Sequence, residues 1–185
     1  MSGVLSDADI RAELEVGKLR VMPMEDEQIQ PASIDLRLSR DFSVLMTERG
    51  SRSAVSLYDK SEEWRVYHKE NFVIHPKQFI LASTMEYFNI PNNIAPFIEG
   101  RSSVGRKGLF IHNAGWVDPG FYGNITLELF NASDRPIMLE AGTRICQMIF
   151  MYTNKECLRP YEGKYSGQIG VTSSRMDEDR EAHSL

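Results

Sequence analysis

Between Ser33 and Tyr152 the chain is written as short alternating runs cut by turn residues, and that rhythm leaves few folds open. Ser33-Ile34-Asp35-Leu36-Arg37-Leu38 alternates without a break, the period-two mark of a strand with one packed face. Comparable runs fall at Phe72–His75, Phe79–Ser83, Tyr87–Ile90, Ile94–Ile98, Leu109–His112, Ile125–Phe130, Ile137–Leu139 and Ile145–Tyr152. Between them stand His75-Pro76-Lys77, Pro91-Asn92-Asn93, Asp118-Pro119-Gly120, Asp134-Arg135-Pro136 and Ala141-Gly142, residues that favour turns over ladders. Strands at roughly 8–12-residue spacing predict an all-β barrel or sandwich, not alternating βα units. A short helix precedes them: Ser6 can cap it, Asp7 and Asp9 suit its positive end, Ile10 and Leu14 share a face, and Gly17 stops it. Glu48 to Glu70 carries the weakest pattern and reads as an excursion with one or two extra strands.

With 185 residues, the chain is sized for a single domain that needs no disulfide or metal to build a core. Residues 1–162 are expected to form the barrel. Residues 163–185, rich in Gly, Ser and charge, read either as a frayed end or as a mobile cover. A net charge of −5 argues against coating nucleic acid, which requires many phosphates to be neutralised. No apolar run approaches the roughly 20 residues that span a bilayer, and no secretory signal is visible, so no membrane contact and a cytoplasmic location are expected. Cys146 and Cys157 have no neighbouring Cys or His at zinc spacing and read as reduced structural residues.

Three segments could carry chemistry. Glu99-Gly100-Arg101-Ser102-Ser103-Val104-Gly105-Arg106-Lys107-Gly108 gathers three cations, two hydroxyls and three glycines. That is the composition of a phosphate cradle, since arginine forks, hydroxyls and close backbone all suit oxyanions. It is equally the composition of a polar turn, and it matches neither a Walker loop nor a GxGxxG turn. Asp118, ahead of Pro119-Gly120, either closes a turn or is a carboxylate held on a rigid corner. In Asn124-Ile125-Thr126-Leu127-Glu128-Leu129-Phe130-Asn131, alternation sets Ile125, Leu127 and Leu129 against Thr126, Glu128 and Phe130. Glu128 is then either a solvated strand residue or a carboxylate beside an aromatic ring, where burial suits it to acid/base work. His68, His75, His112 and His183 lack zinc-site spacing, and the GxSxG elbow and the HxE…PCxxC deaminase pattern are absent.

Together these segments resemble the dCTP deaminase branch of the dUTPase-like superfamily. The matching pieces are Gln30-Pro31-Ala32-Ser33-Ile34-Asp35-Leu36-Arg37-Leu38, Gly100 to Arg106, Val117-Asp118-Pro119-Gly120-Phe121, Ile125 to Asn131, and Lys164-Tyr165-Ser166-Gly167-Gln168 running on to Ser174-Arg175. The resemblance implies a distorted β-barrel, a homotrimer with active sites between subunits, dCTP or dUTP as substrate, and Mg²⁺ carried on the triphosphate rather than a zinc. It matches Arg101, Ser102, Ser103, Val104, Gly105 and Arg106 to the triphosphate and active-site loop. Asp118 matches the carboxylate for the deoxyribose 3′-hydroxyl, and Glu128 the general base and acid. Thr126 and Leu127 match the strand facing the pyrimidine, while Gln147, Tyr161, Lys164 and Gln168 match residues holding the nucleotide. Ser102 and the backbone near Ala114 would place the attacking water, and Arg106 would orient Glu128. Residues 163–185 would close over the site.

The family divides into members that stop at dUTP and members that also release diphosphate and form dUMP. Ala114-Gly115-Trp116 resembles the bifunctional members, because deaminase-only members carry a His-Arg pair at Gly115 and Trp116. Two departures stand against this: His112 to Asp118 is one residue short, and Ser174-Arg175-Met176-Asp177 resembles the deaminase-only branch. The dUMP-forming reading is therefore carried forward beside three alternatives: deaminase alone, dUTPase alone, and a non-catalytic nucleotide-binding barrel. Feedback inhibition by dTTP, through the loop at Ala114–Trp116, is a further implication.

Overall fold

The computed structural model describes residues 3–46, 54–58, 63–112 and 115–179. It opens with β1 (Gly3–Val4) and α1 (Asp7–Glu15). The Ser6 hydroxyl and the Asp9 carboxylate each take the other's backbone N–H, a complete capping box. The helix ends where Gly17 takes a positive φ. There follow β2 (Arg20–Met22), β3 (Ile29–Gln30), β4 (Ser33–Met46), β5 (Glu63–His68), β6 (Asn71–Ile74), β7 (Phe79–Asn89) and β8 (Ile94–Gly100). A one-turn helix, α2 (Ser102–Gly105), leads into β9 (Leu109–His112), β10 (Tyr122–Asn131), β11 (Ile137–Glu140) and β12 (Arg144–Tyr152).

The strands form a curled sheet in the order β1-β12-β4-β7-β10-β9, with β8 on β12, β2 on β7, and β5 and β3 on β4. All pairings between these strands are antiparallel, including the separate two-stranded sheet of β6 and β11. The curl comes from β4, whose first half pairs with β12 and whose second half pairs with β5 and β7. A register shift between Leu38 and Phe42 marks the bend. The expected all-β, dUTPase-like barrel is the fold observed. Its core holds the inward faces of β4, β7, β10 and β12, with Leu36, Leu38, Leu127, Leu129, Met148 and Phe150 at 0 % exposure.

Two expected elements differ. Phe79–Ser83 and Tyr87–Ile90 are one continuous strand, β7, because the intervening Glu86 is not a break. Its carboxylate is fully buried and accepts from Arg37 Nε (2.8 Å), Arg37 N (3.0 Å) and Gln28 Nε2 (2.9 Å), the pairing a buried charge requires. The excursion after Glu48 yields β5; residues 47–53 and 59–62 lie outside the described residues. Cys146 is buried and unbridged, and burial pushes its thiol pKa well up, as befits an inert core thiol. No helix among the described residues is long and apolar enough to cross a membrane.

Candidate active site

Strand β10 presents the two faces that its alternation predicts. Ile125, Leu127 and Leu129 are buried in the core, while Thr126, Glu128 and Phe130 face out. Glu128 lies opposite His112 of β9 and Leu81 of β7. Its side chain keeps 43 % of its surface, and Glu128 Oε2 stands 3.7 Å from His112 Nδ1. In one chain, therefore, the desolvation expected at Glu128 is incomplete.

The C-terminal segment crosses this outer face. Gln168 bridges Gly123 and donates from Nε2 to the carbonyl of Asn124 (2.6 Å), the amide of Gly170 donates to Asn124 Oδ1 (3.0 Å), and that of Thr172 to Thr126 Oγ1 (3.1 Å). Gly123 has to be glycine here: its φ is +139°, and a Cβ would stand 2.8 Å from the carbonyl oxygen of Gln168. Through these bonds residues 168–172 lie along the outer face of β10.

Sheet and tail enclose an acidic, aromatic groove of about 450 Å³. Of the expected residues it gathers Trp116, Asp118, Thr126, Glu128, Tyr161 and Gln168. Asp118 sits in the turn its sequence predicts, its carbonyl accepting from Phe121 N (3.1 Å), and the exposed residue borders the groove. Tyr161 packs its ring 6.0 Å from Phe121. Gly115, with φ +76°, is buried below the groove; a Cβ there would meet Phe97 Cε2 at 2.7 Å. Backbone bonds from Ile98 N to Gly115 O (2.8 Å) and Val117 N to Pro96 O (3.0 Å) pin this loop to β8. Ala114 lies outside the described residues.

A second, polar cleft of about 400 Å³ gathers Gly100, Arg101, Ser102, Ser103 and Gln147 beside Asp35. The phosphate-like segment folds as the single turn α2, in which Val104 N and Gly105 N donate to Arg101 O. Ser102 and Ser103 are exposed at its start, and Arg106 is exposed at its end.

The expected residues therefore divide. Ser102 and Glu128 line different clefts of one chain, and Arg106 lines neither. Two side chains expected near the nucleotide point elsewhere: Leu127 is fully buried and Val104 packs against the core, so neither offers its side chain to a ligand. Gly105 has open space around it. Lys164 is held by Asp179, Nζ standing 2.7 Å from both carboxylate oxygens, and the hydrogen bond to Asp179 raises its pKa.

Several lining residues were missed. Phe79 and Leu81 share the outward face of β7 with Glu128's neighbours and were open to the same alternation argument. Trp64, edge-on to Phe79 with ring centroids 6.5 Å apart, lies in the stretch with no readable period. Thr172 and Ser174 reach the groove only because the tail turns back. Among the described residues no three His, Cys, Asp or Glu side chains converge as a metal cage.

A family model described as dCTP deaminase-like matches residues 4–153. A relative from Aquifex aeolicus (strain VF5), named dCTP deaminase, dUMP-forming, is 47 % identical over 182 residues, covering 98 % of this chain and 99 % of its own. Among solved structures, the 2′-deoxycytidine 5′-triphosphate deaminase from Agrobacterium tumefaciens superposes with a TM-score of 0.64 at 23 % identity, over 82 % of this chain and 49 % of that one. A point mutant of the dUTPase from phage phi11 of S. aureus, which coordinates a structural Mg(II) ion, has a TM-score of 0.50 at 16 % identity, over 80 % of this chain and 99 % of that one. The structures show the shared fold, and the family match, spanning the sheet that carries both clefts, shows that the chain belongs to the dCTP deaminase-like family.

Proposed function

We propose that the protein deaminates dCTP and cleaves the resulting triphosphate, giving dUMP, diphosphate and ammonia, at a site that two neighbouring chains complete. The observation that carries this reading is the groove in which Glu128, Thr126 and Asp118 face one space beneath the tail. The dUMP-forming name of the Aquifex relative supports the second reaction. Gly115 lets the loop beside the groove close against Phe97, where a side chain would not fit.

Glu128 serves the first step. As a water oxygen bonds to C4, the carboxylate takes one proton from it and passes it to N3. It then takes the remaining hydroxyl proton and passes it to the amino nitrogen, which leaves as ammonia while C4 becomes a carbonyl. Thr126 and the neighbouring backbone of β10 hold the pyrimidine, and Asp118 accepts from the sugar hydroxyl. In the second step another water, directed by Asp118 or a group beside it, attacks the α-phosphorus and diphosphate departs.

The polar cleft suits the triphosphate. Its donors are guanidinium, hydroxyl and amide groups, which fit phosphate oxygens, and magnesium would be carried by the nucleotide rather than by these residues. When bound, that ion neutralises phosphate charge. Because Ser102 and Arg106 do not share Glu128's groove, the neighbouring chain's copies supply the water-positioning hydroxyl and the cation that orients Glu128. Exposed apolar side chains favour such an assembly: Met138 and Val73, directly paired across β11 and β6, remain 60 % and 43 % exposed, and Phe110 of β9 is 56 % exposed. A homotrimer is the assembly this reading expects, with dTTP as a competing nucleotide.

Incubation with dCTP and Mg²⁺, followed by separation of the nucleotides, tests the proposal. Ammonia, dUMP and diphosphate in equal amounts are expected. Accumulation of dUTP with ammonia would leave a deaminase alone, and absence of ammonia would defeat the reading.

A further inference from the structure

The polar cleft at Arg101 holds a charge that the proposed chemistry does not use. Asp35 of β4 has a side chain only 3 % exposed, and its Oδ2 stands 3.4 Å from Arg101 Nε and 3.5 Å from Arg144 Nη1. The two guanidiniums are themselves tied: Arg101 Nη1 donates to the carbonyl of Arg144 (2.9 Å), and Arg144 Nη1 to that of Glu27 (3.0 Å). Asp35 is in turn fixed through its own carbonyl, which accepts from the buried Gln28 Nε2 (2.8 Å).

This meeting depends on an irregularity in β12. Gln147 pairs with Asp35 and Cys146 with Leu36, but Arg144 pairs with Arg37, so Ile145 is an extra residue. Without the bulge, Arg144 and Gln147 would point to opposite faces of the strand. With it, both stand on the face of Asp35, and Gln147 lines the cleft that also holds Asp35, Arg101, Ser102 and Ser103.

We infer that Asp35 is a positioning residue for oxyanion binding: it holds Arg101 so that the guanidinium's remaining edge faces the cleft, with Arg144 as the second jaw that holds Asp35. Asp35 shares its charge between Arg101 and Arg144, so the three-residue cluster beside the cleft is net positive and the anion fixes Arg101 without cancelling its attraction for phosphate. An unrestrained arginine would lose rotamer freedom on binding; one already clamped does not. The inference rests on the proposed triphosphate role of this cleft.

The test compares wild type with Asp35→Asn, an isosteric change, using dCTP turnover and binding of deoxycytidine, which has no phosphate. The KM for dCTP is expected to rise about tenfold, with kcat held and deoxycytidine affinity unchanged. Because Asp35 acts through Arg101, the rise is expected to vanish when Asp35→Asn is added to Arg101→Gln. An unchanged KM in Asp35→Asn, a parallel loss of deoxycytidine binding, or the same rise in both backgrounds would overturn the inference. Should Asp35→Asn not fold, Asp35→Glu keeps the charge but displaces it, and the same KM rise at constant kcat is expected; its absence counts equally against the clamp. If the wild-type protein releases no ammonia from dCTP, the underlying reading has failed, whereas an active wild type with an indifferent Asp35 fails the inference alone.

Discussion

The polar cleft at Arg101 is floored by strand residues whose positions are set from below, whereas the acidic groove is walled by a loop and a tail laid over a strand. Asp35 is nearly sealed and bound to two arginines. Glu128 is 43 % exposed, Trp116 is 56 % exposed, and the cover above them is tied mainly by hydrogen bonds from Gln168, Gly170 and Thr172. The contrast separates two tasks. Groups that grip a highly charged part of a ligand work best when already ordered, since little freedom remains to be lost. Groups that perform chemistry sit where substrate and water must enter and leave, and are enclosed by segments of lower local stability.

The contrast is broken most severely at Glu128. Glu128→Gln is expected to lower ammonia release by about 10²–10⁴-fold while the thermal midpoint stays near wild type, because the side chain supports no core contact. A product assay and a melting curve check both halves. Removing residues from Lys164 onward is expected to cut kcat/KM for dCTP by at least about tenfold. The sheet should keep a melting transition, somewhat lowered, since among the described tail residues only Tyr165 packs against the core and none is fully buried. If the truncated chain failed to fold, the cover would have to be counted as part of the barrel.

Gly115→Ala sharpens the comparison within the groove. Its positive φ costs a non-glycine residue about 1–2 kcal/mol, and the new methyl meets Phe97. Diphosphate release should fall more than ammonia release, so dUTP should appear beside dUMP on nucleotide separation. The smallest effect concerns the tail's ion pair. Asp179 raises the pKa of Lys164, so the pair's contribution is fully present below the ordinary lysine value of about 10.4 and is lost as pH rises through the higher folded value. Proteolysis of the tail should therefore speed up at strongly alkaline pH in wild type and show no such further step in Asp179→Asn.

What could be read from the sequence was local. Alternation located β4, β10 and β12 and assigned Glu128 to the outer face, and Ser6 followed by Asp7 and Asp9 located the helix start, because each rests on residues a few positions apart. Partnerships across the fold were not legible. Asp35 reads as the polar member of an alternating strand, and its burial depends on Arg101, Arg144 and a bulge at Ile145. Glu86 interrupts an apolar run and reads as a break until Arg37 and Gln28 are brought to it. Lys164 reads through the resemblance as a residue holding the nucleotide, and its pairing with Asp179 shows only once the tail is folded. The separation of Ser102 and Arg106 from Glu128 was hidden for the same reason.

That separation gives the most direct test of a site shared between chains. Glu128→Gln and Arg106→Ala proteins, each expected to be inactive alone, are unfolded, mixed in equal amounts and refolded together. Random reassembly of a cyclic oligomer pairs an intact Glu128 with a neighbour's intact Arg106 at about one quarter of the interfaces, and ammonia release from dCTP should return to about that fraction of wild type. Refolded mixtures that form mixed oligomers yet remain as inactive as their parents would contradict the account.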